Sequence, residues 1–139
     1  GVQTLTQLRE MCDLGAGSFG LMKQVVHRET GDMFAMKVLQ KQKLPPEDLR
    51  RQLQIRGCAQ HPNVVRLRGC LEDTDNAYLL LEFCDAGALP AHLRSHGGRL
   101  PEPRAARLLS DLSNGLQHLH GLRLVHRDLR PDSVLLCGP

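Results

Sequence analysis

Strand-like apolar runs crowd the first half of the chain, and helical spacing takes over in the second. The runs "LMKQVVHR" (21–28) and "MFAMKVLQ" (33–40) flank "ETGD", whose glycine suits a hairpin turn, so two paired strands are predicted there. "PPEDLRRQLQIRGCA" (45–59) predicts a helix. Prolines open it, Glu47 and Asp48 fall in its first turn, and Leu49, Leu53 and Arg56 share a face. "VVRLRGC" (64–70) and "AYLLLEF" (77–83) predict two more strands, joined by the polar "LEDTDN". After "DAGA" (85–88) come a short helix at 89–96 and a longer one in "PEPRAARLLSDLSNGLQHLHG" (101–121). In the longer one Leu108, Leu112, Leu116 and Leu119 recur at helical spacing and Gly121 supplies a stop. A sheet-rich lobe spanning 1–84, then a hinge and a helical lobe spanning 85–139, is an α+β, two-lobe plan.

Composition narrows the picture. The 139 residues are 41% hydrophobic and 24% charged, the mix of a globular domain. Aromatics are only 3%, so the core must come from Leu, Val, Met and Ala. No apolar run is long enough to span a bilayer. The net charge of +3 is scattered, with no basic run interleaved with aromatics, which argues against a nucleic-acid partner. The five cysteines are an odd count with no C-x-x-C pair, which points to free thiols in a reducing, intracellular and cytoplasmic setting. Cys58, His61 and Cys70 lie near one another in sequence, but no fourth ligand follows at zinc spacing.

Candidate chemistry begins at "LGAGSFGLM" (14–22), where Gly15, Gly17 and Gly20 have the G-x-G-x-x-G spacing. Glycines there let a backbone approach phosphates closely. A dinucleotide fold would need a helix after the third glycine; a strand, a turn and another strand follow instead. The glycines therefore sit in a β-hairpin that acts as a flap. On the later strand, Met33, Ala35 and Lys37 alternate onto one face. A small residue beside an inward ammonium leaves room for a flat ring next to a bound phosphate. Near the end, "LVHRDLRPDSVLLCGP" (124–139) sets a polar loop between the apolar Leu124-Val125 and Val134-Leu135-Leu136, which pin Asp128 as a positioned base should be.

Five stretches, in order, resemble the eukaryotic protein kinase family, Ser/Thr type: "GAGSFG", "AMK" (35–37), "HPNVVRL" (61–67), "LLLEFCDAGAL" (79–89) and "HRDLRPDSVLL" (126–136). The last two stretches are also similar in flavour to Aurora-like and autophagy-initiating kinases, without fixing a subfamily. The resemblance implies a two-lobe kinase fold, ATP and Mg²⁺ as cofactors, and transfer of a phosphoryl group to a protein Ser/Thr hydroxyl. It implies that the flap, Leu14, Gly15, Ala16, Gly17, Ser18, Phe19, Gly20, Leu21 and Met22, covers the ATP phosphates. Leu14, Met22 and Ala35 would lie against the adenine, and Leu135 beneath it. Lys37 would hold the α- and β-phosphates, Leu81 would stand at the gatekeeper position, and the main chain of Glu82 and Cys84 would bond the adenine edge. Asp128 would orient the substrate hydroxyl and accept its proton, with Arg127 a scaffold contact and Arg130 beside it in the catalytic loop.

Four departures from the family pattern bear on activity. Nine residues before His61, the helix position that should carry the Glu partner of Lys37 is Gln52. Arg56 stands at a normally apolar spine position, where its charge is expected to stay in water. Arg130 replaces a Lys, and Ser133 replaces the Asn that holds a metal ion. The Asp-Phe-Gly segment would lie beyond Pro139, so a chain that opens on Gly and stops here reads as a partial record of a longer kinase. A pseudokinase, a nucleotide-binding or scaffolding module with little transfer, is the alternative. Without the main metal-binding Asp, charge neutralisation is missing where phosphoryl transfer needs it. Residues 1–139 incubated with labelled ATP and a basic protein substrate should therefore show no useful turnover. Kinase-like turnover that Asp128→Asn abolishes would overturn the expectation.

Overall fold

The computed structural model describes residues 1–17, 20–126 and 129–138. They form two compact units, Gly1–Gln60 with Val65–Phe83, and His61–Val64 with Cys84–Pro139. The first unit is a five-stranded sheet with strands β1 (Leu8–Gly17), β2 (Gly20–His27), β3 (Met33–Gln40), β4 (Leu67–Glu72) and β5 (Asn76–Glu82), in the order β1-β2-β3-β5-β4. Every neighbouring pair is antiparallel. Between β3 and β4 lies helix α1 (Pro46–Cys58). It starts where the sequence suggests, with Pro at N1 and Glu47 and Asp48 in the first turn, where carboxylates meet the positive end of the helix dipole.

The two faces of the sheet carry separate cores. Ala35 and Leu39 of β3 join Ala77, Leu79 and Leu81 of β5 and Leu49 of α1, with Leu53, Met22 and Val65 packed around them. Phe34 and Met36 point the other way, into a cluster with Leu8, Val25 and Leu80 that Val2 and Leu5 help to cover. Period-two alternation along β3 produces this division. The 3-10 turn Leu5–Gln7 holds the N-terminal segment on that second face: the Gln7 amide oxygen accepts the N–H groups of Gln3 (2.7 Å) and Thr4 (3.1 Å), and the Arg28 N–H donates to the Gln7 carbonyl (2.8 Å). Strand β1 is irregular, with register shifts at Glu10/Cys12 and Asp13/Gly15.

Turn chemistry closes the hairpins. Between β2 and β3, Gly31 takes φ 77°, and the buried His27 accepts the N–H groups of Glu29 (3.2 Å) and Thr30 (3.3 Å) at Nδ1. Between β4 and β5, Asp73 accepts the N–H groups of Asp75 (2.9 Å) and Asn76 (2.7 Å), and the Tyr78 hydroxyl donates to its other oxygen (2.6 Å). Strand β4 begins later than the run at 64–70 suggests, because His61–Val64 folds as a turn of the second unit. There the Val64 N–H reaches the His61 carbonyl (3.1 Å), and the Asn63 N–H reaches the His61 ring (3.0 Å).

In the second unit, helices α2 (Leu89–Ser95) and α3 (Glu102–Gly121) match the two predicted helices. Leu108, Leu112, Leu116 and Leu119 are half-buried, and Leu109 is 62% exposed. One position of α3 is fully packed. Gly115 lies so close to the His61–Val64 turn that a Cβ would sit 2.8 Å from the Asn63 carbonyl oxygen, and the His118 ring stacks on His61 with centroids 4.9 Å apart. Ala is about 1 kcal/mol better than Gly inside a helix, but overpacking a backbone contact costs about 1–3 kcal/mol. Gly115→Ala should therefore lower the denaturation midpoint, whereas Gly121→Ala, which meets open space, should not. Equal midpoints for the two variants would contradict the packing.

Candidate functional site

The registers of β2, β3 and β5 place the expected site residues of the first unit. Met22 lies opposite Lys37, and Lys37 opposite Leu79, so these three form a row across three strands. The next row along puts Gln24, Ala35 and Leu81 together. Directly opposed residues share a face. Ala35 (7% exposed), Leu79 (0%) and Leu81 (5%) belong to the core under α1, and Met22 packs against it. Lys37 thus projects as a half-buried ammonium from a largely apolar face that also carries Gln24. Ala35 and Leu81, the expected adenine-wall and gatekeeper residues, flank it on the same surface. Met33, placed on that face by alternation, is exposed at 51% and lies at the edge.

Burial lowers the Lys37 pKa from its usual 10.5, and repulsion from Arg56 lowers it further. The expectation that Arg56 keeps its charge in water needs correcting. Its side chain is half-buried, and desolvation pushes its pKa below the usual guanidinium range. The reason is helical geometry: Arg56 follows the buried Leu49 by seven residues, which returns it to within about 20° of the same face. Gln52, also half-buried, lies between them on that side, while Glu47 is exposed.

The flap is the hairpin of β1 and β2, closed by the Gly17–Gly20 pair. Gly15 adopts φ 136°, which favours glycine, and has open space around it, so the backbone there can approach a ligand. Leu14 and Leu21 are exposed, as a flap over a ligand would leave them. Ala16, Gly17 and Gly20 belong to these strands. Ser18 and Phe19 lie outside the described residues. At the end of β5 the Glu82 N–H donates to the Arg66 carbonyl (2.8 Å), and the Glu82 carboxylate accepts the Arg66 N–H (3.2 Å). What Glu82 can offer a base edge is therefore its carbonyl.

The remaining expected site residues belong to the second unit. The Cys84 carbonyl accepts the Gly87 N–H (3.3 Å), which turns the chain after the strand. The segment Val134–Leu136 is fixed to that turn. Leu136 N–H donates to the Gly87 carbonyl (2.8 Å), Ala86 N–H to the Leu136 carbonyl (3.0 Å) and Leu89 N–H to the Val134 carbonyl (2.9 Å). Leu136 is buried, whereas Leu135 is 41% exposed and presents an apolar surface. The catalytic loop leads into this segment through a 3-10 turn, Pro131–Ser133, closed by the Ser133 N–H on the Arg130 carbonyl (2.9 Å). Arg127 and Asp128, the expected scaffold residue and base, lie outside the described residues. Ser133 is exposed. Among the described residues no group of three His, Cys, Asp or Glu side chains gathers as a metal site. A single hydroxyl such as that of Ser133 would leave the rest of the octahedral oxygen set of Mg²⁺ to waters and phosphate oxygens. No helix among them is long and apolar enough to cross a membrane.

The protein kinase domain family matches residues 8–138. The serine/threonine-protein kinase RAD53 of Saccharomyces cerevisiae is 31% identical over 125 residues, which cover 88% of this chain and 15% of that protein. Aurora kinase B of Xenopus tropicalis is 35% identical over 127 residues, covering 88% of this chain and 35% of its own length. Calcium-dependent protein kinase 2 of Oryza sativa is 38% identical over 129 residues, 89% of this chain and 25% of that protein. The chain belongs to the protein kinase family. It spans between 15% and 35% of the length of these three relatives.

The coupling of Lys37 to Arg56 has a measurable sign. Lys37 has a lower pKa folded than unfolded, so its ammonium opposes folding wherever it is charged. That cost fades as pH rises through the folded pKa towards 10.5, and stability should climb over that alkaline window. Arg56→Gln removes the repulsion. The Lys37 ammonium should then hold its proton to higher pH, read from the Cε shift of labelled lysine. An unchanged titration would break the link between the two side chains.

Proposed function

We propose that this chain is the nucleotide-binding and catalytic-loop part of an ATP-dependent Ser/Thr protein kinase. The observation that supports this best is the placement of Lys37 beside Ala35 and Leu81 on one apolar face, one hairpin away from a glycine flap. Such a face accepts a flat adenine ring, and the ammonium beside it accepts phosphate. In this reading the Glu82 carbonyl and the Cys84 backbone bond the base edge, with Met22, Leu14 and Leu135 as apolar walls. Asp128 orients the hydroxyl of a protein Ser or Thr and takes its proton as the oxygen bonds to the γ-phosphorus; the bridging oxygen leaves with ADP. Mg²⁺, when bound, neutralises phosphate charge, and Ser133 is the residue of this loop that could contribute an oxygen to it. The odd cysteine count supports an intracellular setting.

A second reading, a pseudokinase that binds nucleotide with little transfer, is favoured by one observation. Arg56 is a cation whose repulsion lowers the Lys37 pKa, and the helix position expected to hold a carboxylate carries Gln52. An amide anchors an ammonium less firmly than a carboxylate, because it can accept the hydrogen bond but brings no opposite charge. The two readings part on rate. In the intact protein with Mg²⁺-ATP, Gln52→Glu should raise phosphotransfer about tenfold, the scale of one such bond, and Asp128→Asn should abolish it. A parent protein with no transfer, in which Gln52→Glu restores none, would leave only the pseudokinase reading standing.

A further inference from the structure

His92, in the last turn of α2, and His96, which caps that helix, stand four residues apart, the spacing that puts two side chains on one helix face. Their rings lie close, with centroids 4.3 Å apart and planes inclined by 30°. A carbonyl can only accept, so the 2.8 Å contact between His96 Nδ1 and the His92 carbonyl makes Nδ1 the protonated nitrogen. That leaves the electron pair of the exposed His96 ring on Nε2. The Ser95 hydroxyl donates to the same carbonyl (2.8 Å) and lies 2.9 Å from His96 Nδ1. On the other ring, His92 Nε2 is shielded from solvent and meets no hydrogen-bond partner among the described residues. A buried polar nitrogen left in that state is unfavourable, and a ligand that meets it removes the cost. Desolvation, then repulsion from His96 and Arg104, lowers the His92 pKa below its usual 6.5. The ring is therefore neutral near physiological pH, the form that can bind a metal.

We propose that His92 and His96 form a chelating pair for a divalent transition ion of the Zn²⁺ class, held through the two Nε2 atoms. The site lies wholly in the second unit and stands apart from the nucleotide reading. An Nδ1–H bonded to a backbone carbonyl is the usual support of a metal-ligating imidazole, because it orients the ring and makes Nε2 more basic. His96 already has that support. Imidazole suits Zn²⁺, Cu²⁺ and Ni²⁺, whereas Mg²⁺ and Ca²⁺ take oxygen. Two imidazole nitrogens on one tetrahedral zinc ion stand about 3.3 Å apart. Rings whose centres are 4.3 Å apart reach that spacing by side-chain rotation, with the helix in place. The same rotation brings the shielded His92 Nε2 out to the ion. No third His, Cys, Asp or Glu joins the pair among the described residues, so water completes the coordination. A bound ion would tie the last turn of α2 to its cap and so brace the helix whose Leu89 N–H holds the Val134 carbonyl (2.9 Å).

The test adds Zn²⁺ to the intact protein carrying isotope-labelled histidine and follows the ring nitrogens by NMR. Zinc should shift the Nε2 signals of two rings together, saturating at one equivalent, and should raise the melting temperature. Mg²⁺ at the same concentration should do neither. His96→Gln changes an exposed side chain, so the protein should stay folded and lose both responses. His92→Gln should lose them as well. The Arg104 charge that acts on His92 opposes a bound cation, so Arg104→Gln should tighten zinc binding. Zinc that binds while these two rings stay unmoved, as it would at the cysteines, overturns the proposal. So does a His96→Gln protein that takes up zinc and is stabilised as the parent is, or an equal response to Mg²⁺. If His92→Gln melts lower while the parent protein shows no response to zinc, the shielded nitrogen serves packing alone and the proposal falls.

Discussion

An ammonium on a buried sheet face is the constraint on which the first unit turns. The row Met22–Lys37–Leu79 must pack under α1, yet its middle member carries a charge that burial disfavours. The apolar members of the rows close the face by tight burial of Ala35, Leu79 and Leu81. The small side chain at position 35 keeps the surface beside the lysine shallow. Desolvation of Lys37 follows from packing that the sheet cannot give up, and this makes the ammonium responsive to whatever charge α1 brings near it.

What α1 brings is unusual for the family. Its core residues, Leu49 and Leu53, fix its rotation on the sheet, and the helical period then decides what else faces inward. Gln52 and Arg56 come with them. The same rotation that seats the leucines makes the helix contribute an amide and a second cation. The carboxylates of α1, Glu47 and Asp48, are placed where the helix dipole wants them, in the first turn and exposed. Helix stability and lysine chemistry are thus served by different residues of one helix.

The second unit anchors the segment Val134–Leu136 by backbone bonds. Backbone bonds from Ala86, Leu89 and Leu136 tie the segment after the loop to the turn that follows β5. Asp85 adds a side-chain bond, its carboxylate accepting the Gly138 N–H at 2.5 Å. Small residues make these close approaches possible: a Cβ at Gly138 would meet Asp85 at 3.0 Å, just as one at Gly115 would meet Asn63.

Local sequence determined the elements and their order. The β2–β3 hairpin, the start of α1, and α2 and α3 follow from turn residues, prolines and periodicity, which act over a few residues and leave their mark in composition. The β1–β2 hairpin that carries the glycines and the strand that carries Lys37 were legible because each is a short motif with a physical reason for its spacing. Other features depend on partners distant in the chain. Strand β4 starts at Leu67 because Asn63 packs on Gly115 and His61 on His118, contacts that no local pattern encodes. The bulges of β1, and the cover that Val2 and Leu5 give the second sheet face, arise from pairing and burial across strands. Arg56 shows the difference most clearly. Its sequence marks an arginine on the inner helix face, and chain-local reasoning puts such a charge in water. Only the packing of Leu49 and Leu53 onto β3 and β5 decides that the guanidinium is half-buried and lowers the Lys37 pKa, because electrostatic surroundings are set by what the fold brings together.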